Sequence, residues 1–236
     1  MKNKELYYFI VRKTKSFFLT IKSERWYPIS DTRCLMTMDH IIARIRRKGR
    51  GWIFTPKDFV DLGSRAAVDQ ALLRLTKDGS QGLRIRRLAR GLYDYPRRHP
   101  VMGILSPDPD AVARALAKRT GSRLMPSASK AANMLGLSTQ VPAQNVYLTD
   151  GRSKTVKVGK QVVRLKHAAP SKMAFADSPN ANVMQALRSI GRKNVGDDVV
   201  KQIARAVPRK TKDDFIRLSP VAPDWTRPIM KRIASE

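Results

Sequence analysis

Hydrogen-bonding and cationic side chains are concentrated between Ser64 and Arg90 of this 236-residue chain. Arginine can bind the O6 and N7 atoms of guanine with two parallel hydrogen bonds, and glutamine can bind adenine in the same way. Arginine and lysine also neutralise phosphates, which carry no sequence information. These residue types predict nucleic-acid recognition, and the candidate DNA-binding residues are Ser64, Arg65, Asp69, Gln70, Arg74, Lys77, Arg84, Arg86, Arg87 and Arg90.

Direct contact with base edges is expected from the first part of this set. Ser64, Arg65, Asp69 and Gln70 fall at the start of a predicted recognition helix, where side chains reach into the major groove. Arg65 is the strongest candidate, because a bidentate contact to guanine is worth about 1–3 kcal/mol of discrimination. The alternative interpretation is structural: Ser64 only caps the helix, and Arg65 pairs with Asp61 or Asp69 on a solvated face.

The arginines of a predicted hairpin are expected to contact the DNA backbone. Arg84, Arg86, Arg87 and Arg90 follow each other along the hairpin, where they can neutralise phosphates or enter the minor groove. Changing Arg86 or Arg87 is therefore expected to weaken binding to all sequences alike. An upstream basic cluster either adds to the same field or is a solvated helix end: Arg46, Arg47, Lys48 and Arg50.

Two capped helices must position these side chains. Thr55 followed by Pro56 predicts the N-terminus of a short helix that stops at Gly63. Ser64 is predicted to cap a second, longer helix. Apolar residues recur in that helix at i, i+3, i+4 and i+7, which predicts a core-facing stripe made of Val68, Ala71, Leu72 and Leu75.

The segments LRIRRL and LYDY predict the two strands of the hairpin, joined by a turn at residues 89–91. Upstream, a helix is predicted from Asp39, and Trp52–Phe54 is a short extended piece of the kind that pairs with a wing. This order of elements is typical of a winged helix-turn-helix, which we place at residues 36–100. Residues 1–35 are expected to be an N-terminal arm, or a disordered upstream extension that precedes a true start at Met36.

A proline-punctuated joint at residues 99–109 predicts a boundary, with a second domain at residues 101–236. Asp108 or Asp110 is predicted to cap the helix AVARALAKRT, and Ser127 to cap ASKAANMLG. The segments NVYLT, KTVKV and QVVRLKH predict a small antiparallel sheet, and further helices follow. The expected fold class is α+β: a winged helix-turn-helix domain followed by a mixed α/β domain.

The second domain carries eight cations that are expected to form one positive surface. Alternate strand residues share a face, and helical residues three or four apart share a side. An acidic protein, an RNA or additional DNA can each bind such a surface, and the alternative is a solvated basic face. The residues are Arg114, Lys118, Arg119, Arg123, Lys154, Lys157, Arg164 and Lys166.

The formal net charge is +28 and the pI is near 11.0, divided as +5, +9 and +14 among residues 1–35, 36–100 and 101–236. Such an excess argues against an ordinary metabolic enzyme and for a polyanionic or acidic partner. A single cysteine, Cys34, excludes an intramolecular disulfide and fits the reducing cytoplasm. No apolar run approaches membrane-spanning length, so a cytoplasmic protein without a membrane partner is expected.

Catalytic signals are weak. His40, His99 and His167 are scattered, with no acid or cysteine spaced as metal ligands or as a triad. The acidic pairs at 197–198 and 213–214 fall at predicted helix starts, where they favour the helix dipole. Neither a GxxxxGK[ST] loop nor a GxGxxG motif is present. We expect no catalysis, no bound metal and no cofactor.

Taken in order, these segments resemble the AbiEi antitoxin family of bacterial type IV toxin-antitoxin and abortive-infection systems. The resemblance runs from about Met38 to Ile233 and is carried by FTPKDFVDLGSRAAVDQALLRL, IRRLARGLYDYPR, LSPDPDAVARALAKRTGSRLMPS, LGLSTQVPAQNVYLTDG, VRLKHAAPSKM and APDWTRP. It implies a winged helix-turn-helix that represses its own operon at inverted repeats in double-stranded DNA. It also implies a C-terminal antitoxin domain that opposes a nucleotidyltransferase-like toxin. Direct contact with the toxin and the association of two copies on DNA are left open.

Two other functions fit parts of the pattern. An RNA-binding protein with a winged domain has the same charge and the same elements, and a nucleic-acid-processing enzyme has the charge alone. Preference for a palindromic promoter duplex over structured RNA separates the first from a DNA-binding regulator. Metal-dependent degradation of nucleic acid by pure protein identifies the second.

Overall fold

The architecture is that of a computed structural model, which describes residues 9–13, 16–20, 26–140, 144–176, 178 and 180–236. Side chains are described from residue 36 onward, except at positions 210, 218 and 219. The chain divides into two compact units, Met1–Ser106 and Pro107–Glu236. The division falls within the proline-punctuated joint, so that residues 101–106 belong to the first unit.

Unit 1 has a helical core built from α1 (Ile29–Lys48) and α2 (Arg65–Lys77), which pack against each other. The short helix predicted after Thr55 is a single 3-10 turn, Pro56–Phe59. The backbone N–H of Thr55 donates to Asp58 Oδ2 at 2.8 Å and fixes its start. The predicted helix after Ser64 is confirmed, and so is its apolar stripe, whose four side chains are fully buried.

The first helix begins at Ile29, so the prediction of a start at Asp39 was wrong. Pro28, Ser30 and Asp31, which are residue types that also favour turns, lie at its N-terminus. Serine and aspartate are as favourable in the first turn of a helix as in a loop, because they satisfy its exposed N–H groups and its dipole. The three residues therefore signal a helix start as well as a turn.

Three short strands precede α1 and form an antiparallel sheet in the order β1-β2-β3: β1 (Phe9–Lys13), β2 (Ser16–Thr20) and β3 (Trp26–Pro28). They fall in the segment 1–35 that was predicted to be an arm or an upstream extension. That segment also includes residues 1–8, 14–15 and 21–25, which lie outside the described residues. Its role stays a prediction.

The hairpin of unit 1 belongs to a three-stranded antiparallel sheet with the order β4-β6-β5. Its strands are β4 (Ile53–Phe54), β5 (Arg86–Ala89) and β6 (Leu92–Asp94). The predicted pairing of the extended segment at Trp52–Phe54 with the hairpin is confirmed, since Phe54 pairs with Tyr93. A second, two-stranded hairpin follows: β7 (Arg98–His99) and β8 (Gly103–Ile104).

Unit 2 contains a four-stranded sheet with the order β11-β12-β10-β9. Its strands are β9 (Leu124–Pro126), β10 (Asn145–Thr149), β11 (Lys154–Val158) and β12 (Gln161–His167). The three predicted strands are confirmed, but the prediction of an antiparallel sheet was wrong, because β10 runs parallel to β12. The hairpin of β11 and β12 folds back so that its second strand pairs with β10 and its first, lysine-bearing strand becomes the edge.

Seven helices complete the described part of unit 2: α3 (Pro109–Thr120), α4 (Ala128–Met134), α5 (Pro170–Met173), α6 (Ala181–Ile190), α7 (Asp197–Ala206), α8 (Asp213–Leu218) and α9 (Arg227–Ser235). Asp108 caps α3 and Ser127 caps α4, as predicted. Helix α3 contacts β9, β10 and β12, while the C-terminal helices and Met125 of β9 share an apolar core around Phe175 and Phe215.

Candidate nucleic-acid interface

The N-terminus of α2 is fixed on one side by a cap and on the other by the core. Ser64 Oγ accepts a hydrogen bond from the backbone N–H of Ala67 at 3.3 Å. The stripe that includes Val68 and Leu72 is 0% exposed. Because one face of the helix is buried in this way, the opposite face is presented to solvent in a fixed orientation.

That exposed face carries most of the residues predicted to meet base edges. Ser64, Arg65, Asp69 and Gln70 are all exposed. Arg65 Nε donates to Asp69 Oδ2 at 2.9 Å, which is the pairing that the structural alternative expected. Both side chains remain about half exposed, at 59% and 48%. An exposed pair one helical turn apart contributes only about 0.3–0.5 kcal/mol, so it does not prevent Arg65 from changing partners.

Two apolar residues on the same face were missed from the sequence. Ala66 is exposed, and Leu73, which is 48% exposed, lies on the side of α2 opposite the buried stripe. Apolar side chains on such a face can contact the methyl group of thymine. The signal was available, because Leu73 falls outside the i, i+3, i+4, i+7 pattern of the buried stripe. At the far end of α2, Lys77 is exposed and Arg74 is half-buried.

The turn before α2 is clamped by an arginine of α1. Arg44 donates to Asp61 Oδ1 at 2.7 Å and to the carbonyl oxygen of Asp58 at 2.7 Å. The Arg44 guanidinium also lies 5.8 Å from the centre of the Phe59 ring. The hydrogen bond with Arg44 lowers the pKa of Asp61 to about 2. Asp61 is therefore engaged by Arg44, and the predicted pairing of Arg65 with Asp61 does not occur.

Arg86 differs from the other arginines of the hairpin. Its Nε and Nη2 atoms donate to the two carboxylate oxygens of Asp94, at 3.1 and 2.7 Å, across the β5–β6 pair. Nη2 also donates to the carbonyl oxygen of Leu105 at 3.2 Å. Asp94 is 1% exposed, so this is a largely buried ion pair. Arg86 therefore ties the two strands of the hairpin together and is engaged with a buried acid, unlike an arginine on an open face.

The other three arginines predicted on or near the hairpin lie on its surface. Arg84, Arg87 and Arg90 are exposed, Arg90 at the turn that ends with Gly91, whose φ is +67°. Arg84 donates to the carbonyl oxygen of Lys77 at 3.3 Å, which links the hairpin to the C-terminal end of α2. The exposed helix and the basic hairpin are thus neighbours within one compact unit.

Arg46 and Arg50, two members of the basic cluster at residues 46–50, bind groups within unit 1. Arg46 donates to the carbonyl oxygen of Gln81, and the Gln81 amide donates to Asp39 Oδ1 at 2.7 Å. Arg50 lies 4.8 Å from the centre of the Tyr95 ring and donates to the Pro96 carbonyl oxygen at 3.3 Å. These two arginines connect α1 and the following turn to the loops beside the hairpin.

Strand pairing separates the eight cations that were predicted to form one surface in unit 2. The Tyr147 hydroxyl donates to Asp110 of α3 at 2.6 Å, which identifies the face of the sheet that α3 covers. Leu165 pairs with Tyr147, and Lys154 pairs with Leu165, so Lys154 lies on the same face. Burial, and then the charge of Arg119 on α3, lower the pKa of Lys154.

The other lysines and arginine of the sheet lie on the opposite face. Lys157, Arg164 and Lys166 are exposed and alternate with the buried residues Val156 and Val163. The eight cations therefore do not share one surface. Lys157, Arg164 and Lys166 form one group, on the face of the sheet opposite α3. The other five cations lie on or beside α3: Arg114, Lys118, Arg119, Arg123 and Lys154.

Within the group beside α3, Arg123 and Arg114 pair with acids. Arg123 donates through Nε to Asp150 Oδ2 and through its backbone N–H to Asp150 Oδ1, both at 2.8 Å. The side-chain hydrogen bond is the main reason that the pKa of Asp150 is lowered. Arg114 lies 3.6 Å from Asp108. Arg123 thereby fixes the turn after β10.

A polar cluster that the sequence did not indicate joins α3, α4 and β10. Lys130 Nζ donates to the Tyr147 hydroxyl at 2.8 Å and lies 2.9 Å from Asp110 Oδ1. Burial opposes the ionisation of Asp110, but the hydrogen bonds from Tyr147 and Lys130 outweigh it, and the pKa of Asp110 is lowered. Burial and the neighbouring carboxylate raise the pKa of Tyr147. The cluster connects the start of α3 to the sheet.

Two of the histidines bond to the backbone. His99 Nδ1 accepts from the N–H groups of Val101 and Met102, both at 3.2 Å, and His167 Nδ1 lies 3.0 Å from the Gly151 carbonyl oxygen. Within the described ranges, no three His, Cys, Asp or Glu side chains are grouped so that they could hold a metal ion. Across the same ranges, no helix has both the length and the apolar character that crossing a membrane requires.

The described residues define a mixed α+β protein of two compact units. In the first unit, α2 presents an exposed polar face beside a basic hairpin. The chain belongs to DUF6088, a family of unknown function, which it matches over residues 40–215. No protein of curated function and no solved structure matches the chain. The family match includes α2 and the basic hairpin of unit 1, as well as the sheet of unit 2.

Proposed function

We propose that unit 1 is a winged helix-turn-helix that binds double-stranded DNA, with α2 as its recognition helix and the β5–β6 hairpin as its wing. The observation that carries the proposal is the exposed face of α2. Arg65 and Gln70 lie on this face, and the opposite face of the helix is fully buried. The major groove, about 12 Å wide, admits an α-helix. The exposed arginines of the hairpin beside α2 match the phosphates that flank a groove.

The pairing of Arg65 with Asp69 is compatible with this role. An exposed i, i+4 ion pair is worth about 0.3–0.5 kcal/mol, whereas a bidentate contact of arginine with guanine is worth about 1–3 kcal/mol of discrimination. Guanine can therefore displace Asp69 with a net gain. Until then Asp69 holds the guanidinium beside the N-terminus of α2, where base edges are read.

For the whole chain, we propose an antitoxin and transcriptional autorepressor of the type IV kind, as the resemblance to the AbiEi family implies. Unit 1 would bind inverted repeats in the promoter of its own operon, as two copies on one duplex. Unit 2 would oppose a nucleotidyltransferase-like toxin, and the exposed β11–β12 part of its sheet, with Lys157, Arg164 and Lys166, offers a basic surface for an acidic partner. The protein would act in the cytoplasm without catalysis of its own.

The experiment that tests DNA reading compares two arginines on two duplexes. Fluorescence anisotropy gives the affinity of Arg65→Ala and Arg87→Ala for the promoter of the gene and for a shuffled duplex over a range of salt. Arg65→Ala should lose about 5- to 150-fold on the promoter, which corresponds to 1–3 kcal/mol, and little on shuffled DNA. Arg87→Ala should weaken both duplexes alike and reduce the slope of log affinity against log salt by about 0.9.

A matched control is Arg192→Ala, which removes an exposed arginine from the 3-10 turn Arg192–Asn194 of unit 2 and should leave both affinities unchanged. Equal losses on the two duplexes for Arg65→Ala would remove that residue from base readout. Tighter binding to structured RNA than to the promoter duplex would instead favour an RNA-binding winged-helix protein.

A further inference from the structure

A cavity of about 430 Å³ lies in unit 2, beside the C-terminal half of α7. Lys201 and Arg205 line it from α7, one helical turn apart and so on the same side of the helix. Arg209, from the 3-10 turn Arg209–Thr211, and Lys212, which follows that turn, line it from another direction. Cavities that bind small ligands are typically about 300–1,000 Å³. The cavity therefore has the size of a small-molecule site.

The charge of this cavity is strongly unbalanced. Among the described residues that line it, four are cationic, and Glu236 is the one acid. Asp197, at the start of α7, pairs with Arg232, and the charge of Lys201 also helps to lower the pKa of Asp197. Four cations around one space repel each other, and a bound anion removes that repulsion.

The other residues that line the cavity offer little to bind a base or a sugar, so the phosphates are the part of a ligand that the cavity can hold. Ala204 and Val207 contribute small apolar patches, and the lining among the described residues contains no aromatic ring on which a base could stack. Arginine forks bind phosphate oxygens bidentately, and lysine binds them as a point charge. A phosphate monoester carries about −1.5 to −2 charges at neutral pH, so two or three linked phosphates match the excess of positive charge.

We propose that this cavity is a binding site for a polyphosphate group, carried either by a nucleoside triphosphate or by an inorganic polyphosphate. Arg205 and Arg209 grip the phosphate oxygens from two sides, and Lys201 and Lys212 supply further positive charge. The site recognises the phosphates and not the base. It lies within unit 2 and is independent of the proposed DNA binding by unit 1, so either proposal can fail without the other.

Isothermal titration calorimetry with the full chain tests the site, with inorganic tripolyphosphate, ATP, GTP and adenosine as probes. Tripolyphosphate, ATP and GTP should bind with affinities within about threefold of each other, and adenosine should not bind. The double variant Arg205→Gln/Arg209→Gln should weaken tripolyphosphate binding by about tenfold or more, because it removes two charge-assisted contacts. These side chains are exposed, so the fold should not depend on them.

The matched control removes the same charge elsewhere in unit 2. The double variant Arg192→Gln/Lys193→Gln changes two exposed cations of another 3-10 turn and should alter the affinity by less than about twofold. An equal loss of affinity in the control variant would show that tripolyphosphate binding depends only on the net charge of the protein. That result would overturn the proposal. The proposal would also be overturned if tripolyphosphate did not bind, or if adenosine bound as tightly as ATP. Binding of single-stranded oligonucleotides at this cavity in place of tripolyphosphate would overturn it as well.

Discussion

The ion pair of Arg86 with Asp94 predicts an asymmetric response to mutation in unit 1. The Asp94 side chain is 2% exposed, whereas 34% of the Arg86 side chain is exposed. Arg86→Met leaves a buried carboxylate without its partner, which costs about 3–5 kcal/mol of the free energy of unfolding. Asp94→Asn leaves a guanidinium that water reaches, and weakens hydrogen bonds worth about 1.5–3 kcal/mol. The arginine should therefore be the more costly residue to change.

The double variant Arg86→Met/Asp94→Leu gives a sharper result. It removes both charges, and a buried ion pair replaced by apolar residues is often neutral in stability. The double variant should therefore be more stable than Arg86→Met alone. Urea unfolding followed by tryptophan fluorescence measures this in a Trp225→Phe background, in which the remaining tryptophans lie in unit 1.

Arg87→Met is the matched control, because Arg87 is the next residue on the same strand and is exposed. It should change the free energy of unfolding by no more than about 0.5 kcal/mol. A cost of Arg86→Met no greater than that of Arg87→Met would show that the buried carboxylate of Asp94 does not depend on Arg86. If the double variant costs as much as Arg86→Met and Asp94→Leu added together, each measured alone, the two charges are not coupled.

Two further predictions concern the turn before α2. Asp61 should titrate at a pKa of about 2 in an NMR titration, and Arg44→Gln should return it toward roughly 3.9. Since the folded-state pKa of Asp61 is lowered, its pair with Arg44 stabilises the fold above the ordinary carboxyl pKa, and this contribution is lost as the pH falls toward 2. An unchanged pKa of Asp61 in Arg44→Gln would contradict the contact between the two residues. Gly63→Ala would place a Cβ atom 2.8 Å from Thr37 Oγ1, and overpacking of this kind costs about 1–3 kcal/mol. Thr37→Ala should recover part of that loss in thermal unfolding, and no recovery would show that the contact is not the cause.

Elements that depend on neighbouring residues could be predicted from the sequence. The cap at Ser64 and the apolar stripe of α2 follow from residues within a few turns of each other, and both are present. The strands β10, β11 and β12 follow from alternation and from the glycines between them. The same local signals are ambiguous at Pro28 and Ser30, because a helix start and a turn use the same residue types.

Contacts between distant residues could not be predicted in this way. Asp61 is bound by Arg44 on another helix rather than by the nearby Arg65, and only the packing of α1 determines that choice. Arg86 resembles the other arginines of its segment in the sequence, yet it alone faces the buried Asp94. The parallel pairing of β10 with β12 likewise depends on how the following hairpin folds back, which the strand patterns do not encode.

The proposed function requires α2 to distinguish one DNA sequence from another. The most direct measurement is the affinity of the full chain for the duplex upstream of its own gene, relative to a shuffled duplex of the same length at the same salt concentration. We expect a ratio of about 10³ or more, with protected half-sites about one helical turn apart. A ratio near one at every salt concentration would contradict it, because binding would then depend on the phosphates alone.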